Sequence, residues 1–511
     1  MRRVATSAST PLAADVAAAV ADDGGNAVDA AIASTVVAMV TQPGIIGPGA
    51  GTFVTVWPAG GEPVVVDAYA AKPGLGLPDG RRPQHHGDRV WMDYGGGMHT
   101  LVGHASVAVP GVFSGLGLAS ERYGALPWRD VIEPSIRVVR EGFPYSAVSA
   151  AYLAYAHEPI YDREADSFAA LHRSDGSPLD EGEPVVIEHL ADSLEIIAEE
   201  GPHALLTGSL GERMAADMAA RGGWITAEDL TAYRPIVREP IRVPVDEWEV
   251  ATNPPPAVGG ATLAAMLLLL DDHPFREWTA PEVAHLAQVE RAVLRYRAEV
   301  LDRSADRAAE AAHLLDRARV GDLRGLLGSP STVHQSTVDT DGLACAITTS
   351  AGYGSGVMIP ESGFWLNNSL GEIDLHPDGL EDLAAGDRLP SNMAPTLARR
   401  DDGAVLSIGS PGASRITTAI AQVLLNFIHL GMSLSDAVAH PRVHAEVFEG
   451  VPTLAAEPGL DTDAVVDLAV RRFPDLSMYF GGVGVVLWDP RAGMFPASDP
   501  RRTGAVSIGG R

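Results

Sequence analysis

The hydrophobic pattern opens with two helices. In TPLAADVAAAVADDGG, Thr10 is placed to cap, Pro11 takes a first-turn position that needs no N–H, and paired glycines end the segment. NAVDAAIASTVVAMV follows as a second, more apolar helix. Residues 44–57, GIIGPGAGTFVTVW, read as a glycine-rich turn running into a strand, with GEPVVVDAY as its hairpin partner. Residues 75–105 are rich in Gly, His and Asp and read as loop. From 111 to 230 the apolar spacing is mostly helical, as in ADSLEIIAEEG and LGERMAADMAARGG. PIRVPVDEWEVATN is strand-like, whereas ATLAAMLLLLDD and APEVAHLAQVERAVLRYRAEVLDRSADRAAEAAHLL are helical.

After residue 331 the character changes. STVHQSTVD (331–339) alternates polar and apolar positions like a half-buried strand. LACAITTS, SGVMIP and GFWLNN read as further short strands. AVLSIGSPG, the helix SRITTAIAQVLLNFIHLG and closing strands around GGVGVVLW complete the chain. Strands and helices in blocks predict stacked sheets with helices outside, an α+β or α/β layered fold.

Composition narrows the classes. The 511 residues, 46% hydrophobic and 20% charged, supply ample core for two to four domains or one large enzyme. A formal charge of −29 argues against nucleic acid or an anionic membrane as partner. The single cysteine, Cys345, lies in the apolar run LACAI, so a buried thiol is expected and no internal disulfide is possible. Polar residues interrupt every apolar stretch near the N-terminus, and no window approaches 18 uninterrupted apolar residues. The expectation is therefore a cytoplasmic protein without signal peptide or membrane span.

Candidate chemistry is sparse at first reading. GPGAG (47–51), PPPAVGGAT (254–262) and GSPGAS (409–414) are glycine-rich, but none carries a nucleotide-loop pattern. GSPGAS precedes a helix, where its N–H groups suit an anion. His85, His86, His99 and His104, with Asp88 and Asp93, share one loop region without compact ligand spacing, so a solvated loop is expected rather than a metal site. No G-x-S-x-G elbow or H-E-x-x-H helix occurs. The pair Ser331-Thr332 at the head of a strand stands out. An internal threonine is a poor nucleophile. At a free N-terminus its own α-amine, with a pKa of about 7.7–8.0, serves as base.

Longer stretches carry a resemblance. VATSASTPLAADVAAAVADDGGNAVDAAIASTVV, VAVPGVFSGLGLASERYGALPWRDVIEPSIRVVREGF, GGWITAEDLTAYRPIVREPI, NPPPAVGGATL and STVHQSTVDTDG resemble successive signatures of γ-glutamyltransferases. SGFWLNN, LPSNMAPT, GSPGASRI and ASDPRRTGA follow in that family's order. The resemblance implies an N-terminal-nucleophile hydrolase with a four-layer αββα sandwich and no metal or organic cofactor. It implies self-cleavage between Ser331 and Thr332, giving subunits 1–331 and 332–511 that stay together as one αβ unit, which itself pairs in some arrangements. Thr332 is then the nucleophile toward a small-molecule substrate. Gly412 and Ala413 match the oxyanion-hole pair, and alanine keeps the required N–H. Ser350 falls where a second threonine assists the nucleophile. His334 is expected to be structural support.

The substrate end departs from the family pattern. Tyr69 stands where the family's carboxylate-binding arginine belongs, and a phenol cannot reproduce a bidentate guanidinium pair. Lys72 is near enough in sequence to be weighed as a substitute. Ser369 and Glu372 replace a glutamine and an aspartate of the α-amino clamp, and a shortened TTSAGYGSG removes its asparagine. Of the paired serines, Ser391 remains and Asn392 replaces the second. The expected function is acyl transfer from a γ-glutamyl-like amide to water or an amine, with altered specificity. The alternatives are hydrolysis of a carbon–carbon bond in antibiotic biosynthesis, a cephalosporin-type amide acylase, or an inactive scaffold, against which Thr332, Ser350 and Gly412 speak.

Overall fold

Thr10 accepts the Ala13 amide and starts the helix Pro11–Asp22, and Asn26 with Asp29 forms a reciprocal capping box for Ala27–Thr41. Every residue of the second helix is buried. These features come from a computed structural model, which describes residues 2–78, 87–93, 97–320 and 332–510.

Two antiparallel sheets form the centre. The first has seven strands in the order Ala505–Gly509, Val4–Ala8, Val333–Asp339, Ala344–Ser350, Gly51–Trp57, Val64–Ala68 and Ile236–Arg238. The second has six, in the order Gly493–Ser498, Gly484–Asp489, Val405–Gly409, Thr396–Arg400, Trp248–Thr252 and Ile241–Val245. Helices Pro11–Asp22, Ala27–Thr41 and Val112–Tyr123 pack on the outer face of the first sheet, and Gly259–Asp271 and Arg415–Leu424 on that of the second. The result is a four-layer αββα sandwich of the expected α+β class. Segments from both sides of Thr332 enter both sheets, so a break before Thr332 leaves the two parts interleaved.

Between the sheets lies a mixed seam. Its apolar part gathers Ala5, Trp57, Val338, Ala344 and Ala346 from the first sheet with Ala251, Leu397, Val405 and Val486 from the second. Its polar part is stitched by hydroxyls donating to carbonyls across the gap. Ser336 Oγ reaches Gly484 O at 3.1 Å, Ser407 Oγ reaches Cys345 O at 2.9 Å and Ser7 Oγ reaches Ala497 O at 2.8 Å. Such pairing removes the desolvation cost of burying polar groups at the centre of a sandwich.

Several expectations change here. STVHQSTVD is not half-buried: all seven residues of Val333–Asp339 are buried, because one face meets the second sheet and the other the helix Ala27–Thr41 instead of water. SGVMIP and GFWLNN form no regular strands; only isolated bridges, Met358 with Trp365 and Gly49 with Leu366, mark their course. The stretch 75–105, read as loop, contains the hairpin Asp88–Met92 and Met98–Val102. His99 and His104 are drawn apart in function: His99 Nδ1 lies 3.3 Å from Val90 O, while His104 Nε2 lies 2.9 Å from Asp217. His85 and His86 lie outside the described residues. Cys345 is fully buried. Among the described residues no helix is long and apolar enough to cross a membrane.

Gly409 shows how tight the seam is. A Cβ there would come within 2.3 Å of the His334 ring, which is held by hydrogen bonds on both nitrogens. Gly409→Ala is expected to cost about 1–3 kcal/mol through overpacking. The measurement is the thermal unfolding midpoint, and an unchanged midpoint would refute close packing at this point.

Candidate active site

The ladder between Val333–Asp339 and Ala344–Ser350 pairs Val333 with Thr349 and His334 with Thr348. Carried one residue further, that register sets Thr332 opposite Ser350, with their side chains on one face of the sheet. The same face carries His334 and Thr348, whose side chains meet at 2.8 Å. It is the face turned toward the second sheet. Thr332 is 3% exposed and so is Ser350. Ser350 Oγ accepts the Gly352 amide at 3.1 Å, which fixes the turn beyond the strand. Ser331 lies outside the described residues.

His334 spans Thr348 Oγ1 and Ser336 Oγ, each at 2.8 Å. Burial pushes its imidazole down to about 3, so it is neutral at any physiological pH. Its role is to brace the strand directly after Thr332, in keeping with the expectation of structural support.

A small cavity of about 30 Å³ at this end is lined by Thr332, His334, Pro411, Gly482, Asp499 and Arg502, among others. Pro411 leads into Gly412 and Ala413, which have φ of 124° and 68° just before the helix Arg415–Leu424. A left-handed alanine costs about 1–2 kcal/mol, so the surrounding structure must hold it there. Gly412 has a further reason to lack a side chain, since a Cβ would press to 2.8 Å from Gly481 Cα. Among the described residues, neither the Gly412 nor the Ala413 amide donates to another protein group. Two adjacent N–H groups beside a helix N-terminus suit a developing negative charge.

The loop is held by groups the sequence reading did not single out. Ser410 Oγ donates to Pro411 O at 2.7 Å and accepts the Gly482 amide at 3.0 Å. Asp499 Oδ2 accepts the Val483 amide at 2.8 Å. Although burial pushes the Asp499 carboxyl up, Arg442 and Arg501 outweigh it and hold it below the usual carboxylate range. Asp499 therefore positions the Gly482–Gly484 wall as a fixed anion. Its only sequence signal was its place in ASDPRRTGA.

The predicted substrate residues cluster beside this end. Gly51 pairs with Ser350, and a Cβ on Gly51 would fall 2.7 Å from the Tyr69 ring, so glycine lets Tyr69 close on the strand end. Tyr69 is fully buried, stacks on Phe53 with ring centroids 5.6 Å apart, and donates its hydroxyl to Glu372 Oε2 at 3.1 Å. Ser369 and Ser391 adjoin that hydroxyl. Burial pushes the Glu372 carboxyl up to about 8, against the opposing pull of Tyr69. Burial, then the neighbouring Glu372, push the Tyr69 phenol up as well. Glu372 also lies against Gly352, two residues beyond Ser350, where a Cβ would stand 3.1 Å from its carboxyl carbon. Asn392 is 3% exposed, and neither of its side-chain amide atoms has a partner in the described structure.

Lys72 does not join this cluster. Its ammonium donates to Leu380 O and Leu383 O, both at 2.6 Å, and so serves the fold of that loop. The nearby Arg388 lies over the Tyr233 ring at 4.2 Å, with Asp67 3.4 Å from its Nε. Arg238 holds the other Asp67 oxygen at 2.7 Å. The groups gathered on Tyr69 are thus hydroxyls and a carboxyl that is uncharged at neutral pH.

Comparison with known proteins agrees with this layout. A gamma-glutamyltranspeptidase family model matches residues 13–509. A glutathione hydrolase proenzyme of Escherichia coli (strain K12) is 29% identical over 95% of this chain and 88% of its own length. The Acylase ACY 1 proenzyme of Pseudomonas sp. (strain V22) is 32% identical over 85% of this chain and 81% of its own. The crystal structure of a cephalosporin acylase from Bacillus halodurans superposes with a TM-score of 0.81 at 24% identity, covering 99% of this chain and 96% of that one. With the family match spanning nearly the whole sequence and the same layered fold beneath it, the chain belongs to the gamma-glutamyltranspeptidase family and is an enzyme of its hydrolase and acyltransferase class.

Proposed function

We propose that the protein is a self-processing threonine hydrolase or acyltransferase whose nucleophile is Thr332. The observation that carries the reading is the place of Thr332: directly before a strand buried on both faces, opposite Ser350 when the register is carried one residue further, and lining one cavity with Pro411. In the proenzyme, Thr332 Oγ attacks the Ser331 carbonyl carbon, the peptide C–N bond breaks, and an ester forms. Water cleaves the ester, leaving a Ser331 carboxylate and a free Thr332 α-amine. Residues 1–331 and 332–511 then form the two subunits.

In turnover the α-amine takes the Thr332 hydroxyl proton as Oγ attacks the substrate amide carbon. The Gly412 and Ala413 amides receive the developing oxyanion, and Ser350 supports the nucleophile. The proton passes to the leaving amine, and water or an acceptor amine then resolves the acyl-enzyme. The proposed substrate-binding group comprises Tyr69, Ser369, Glu372, Ser391 and Asn392. No guanidinium among the described residues joins the Tyr69 cluster, so a substrate α-carboxylate lacks its strongest partner there. This favours altered specificity. A relative named an acylase, at 32% identity, supports a second reading, in which the acyl group is uncharged at this end and the protein is an amide acylase.

Intact mass of the purified wild type should give two species divided between Ser331 and Thr332, and Thr332→Ala should stay whole. An uncut wild-type chain would falsify the self-processing reading. Specificity is read from kcat/KM on a γ-glutamyl anilide and its butyryl analogue, which lacks the α-amino and α-carboxylate groups. The two should agree within about tenfold, a difference of roughly 1.4 kcal/mol. A preference for the glutamyl compound of about 10³ or more would instead mean that the original clamp survives.

Glu372 adds a pH dependence. Its folded carboxyl is raised above its ordinary 4.5 to about 8, so it is neutral at pH 7. The stability tied to the neutral form is full below about 4.5 and is lost as pH climbs through about 8. Activity that relies on the neutral pocket should fall over the same upper limb. Glu372→Gln should keep activity at pH 7 and lose that limb; a limb that persists unchanged assigns the titration to another group.

A further inference from the structure

Away from the reaction cavity, one cluster of donor atoms has no use in the chemistry above. His157 caps the C-terminus of the helix Ala147–Ala156, Asp162 lies in the turn Tyr161–Arg163, and His172 caps the helix Ala165–Leu171. One ligand atom from each lies within 4.8 Å of the others. His172 Nε2 is 3.0 Å from Asp162 Oδ1, and His157 Nδ1 is 3.8 Å from the same oxygen.

The His172 side chain is fully buried, and its Nε2 makes no hydrogen bond although Asp162 Oδ1 stands 3.0 Å away. Its other nitrogen, Nδ1, lies 3.0 Å from Phe168 O, an acceptor that requires an N–H there. In the neutral ring that contact leaves the lone pair at Nε2. The Phe168 ring, stacked at 4.2 Å and 8°, locks the imidazole plane. A histidine oriented by a backbone carbonyl, with its second nitrogen close to a carboxylate and another histidine, has the form of a metal ligand. Tetrahedral ligation at about 2.0–2.2 Å places donors roughly 3.3–3.6 Å apart, which the two short separations bracket.

We propose that His157, Asp162 and His172 bind a divalent transition-metal ion of the zinc class. Two imidazoles and one carboxylate suit such an ion better than Mg²⁺ or Ca²⁺, which prefer all-oxygen shells. His157 and Asp162 are 24% and 37% exposed at the side chain, so solvent reaches the remaining coordination position. The ion's role is structural. The segment it ties together holds both the loop after Ser350 and the turn at Gly44: Ser167 Oγ donates to Gly356 O at 2.6 Å, and Tyr161 donates to Gly44 O at 2.9 Å. Tyr152, on the helix that His157 caps, donates to Tyr353 O at 2.7 Å, and Val148 of that helix lines the Thr332 cavity.

The test uses the full-length protein, stripped with a chelator, then equilibrated with Zn²⁺ and freed of unbound metal. The wild type should retain a single equivalent by elemental analysis. His157→Gln and His172→Gln, each removing a direct ligand, should each bind about 100-fold more weakly or worse, beyond the loss typical of an outer-shell change. Co²⁺ should give visible d–d bands with the wild type alone, and excess Mg²⁺ should not displace Zn²⁺. His157 is partly exposed, so its variant keeps the test sound if His172→Gln fails to fold. A wild type that retains no Zn²⁺, or a folded His157→Gln protein that retains as much as the wild type, overturns the proposal.

Discussion

Everything at the reaction centre depends on two sheets pressed face to face through a seam that is partly polar. The strand Val333–Asp339 is buried on both sides, so each polar side chain on it needs a partner within the protein. On the inner face His334 is satisfied by Thr348 and Ser336, and Ser336 donates on to Gly484 in the opposite sheet. On the outer face Thr337 Oγ1 donates to Ala27 O at 2.7 Å, and Gln335 Oε1 accepts from Ser34 at 3.2 Å. Slipping the register by one residue would break all of these at once and turn Thr332 away from the second sheet. The orientation of Thr332 is thus secured by the bonding of the residues that follow it.

The second sheet contributes the other half of the site through backbone held in costly conformations. Gly412 at φ 124° leads into Ala413 at φ 68°, and Gly481, at the head of the Gly481–Gly484 segment, packs directly against Gly412. That segment is anchored in turn by Asp499 within a buried group of charges, in which Arg442 and Arg501 pair with Asp499 and Arg501 also with Glu457. Removing one member of such a group leaves a buried charge uncompensated, which is why its members stabilise geometry more reliably than they add net stability.

The surroundings of Tyr69 follow a different rule. Around Tyr69 the polar groups are neutral, and the nearby cations are committed elsewhere: Lys72 to loop carbonyls, Arg388 and Arg238 to Asp67. A buried carboxyl kept uncharged by its surroundings and a phenol that donates to it form a pocket ordered by hydrogen bonds. Such a pocket discriminates by shape and donor placement more than by charge.

Much of this was legible in the chain. Thr10, Pro11 and Asn26 announce two helices because capping is a local matter of side chain and adjacent amides. The succession from GGNAVDAA to GSPGAS announces the family. Local pattern misjudged GFWLNN, whose path is set by contacts with Gly49 and Gly352–Tyr353 more than by its own alternation. It also read a strand buried on both faces as half-buried, since polarity along one strand cannot reveal a second sheet. The roles of Lys72, Asp499 and the His157–Asp162–His172 cluster depend on where distant segments meet. The sequence by itself determined the family and the two capped helices near its start, because motifs and caps rest on local chemistry. The tertiary structure alone decided which groups face one another and what protonation state burial imposes on Glu372 and His334, because long-range packing sets both distance and dielectric.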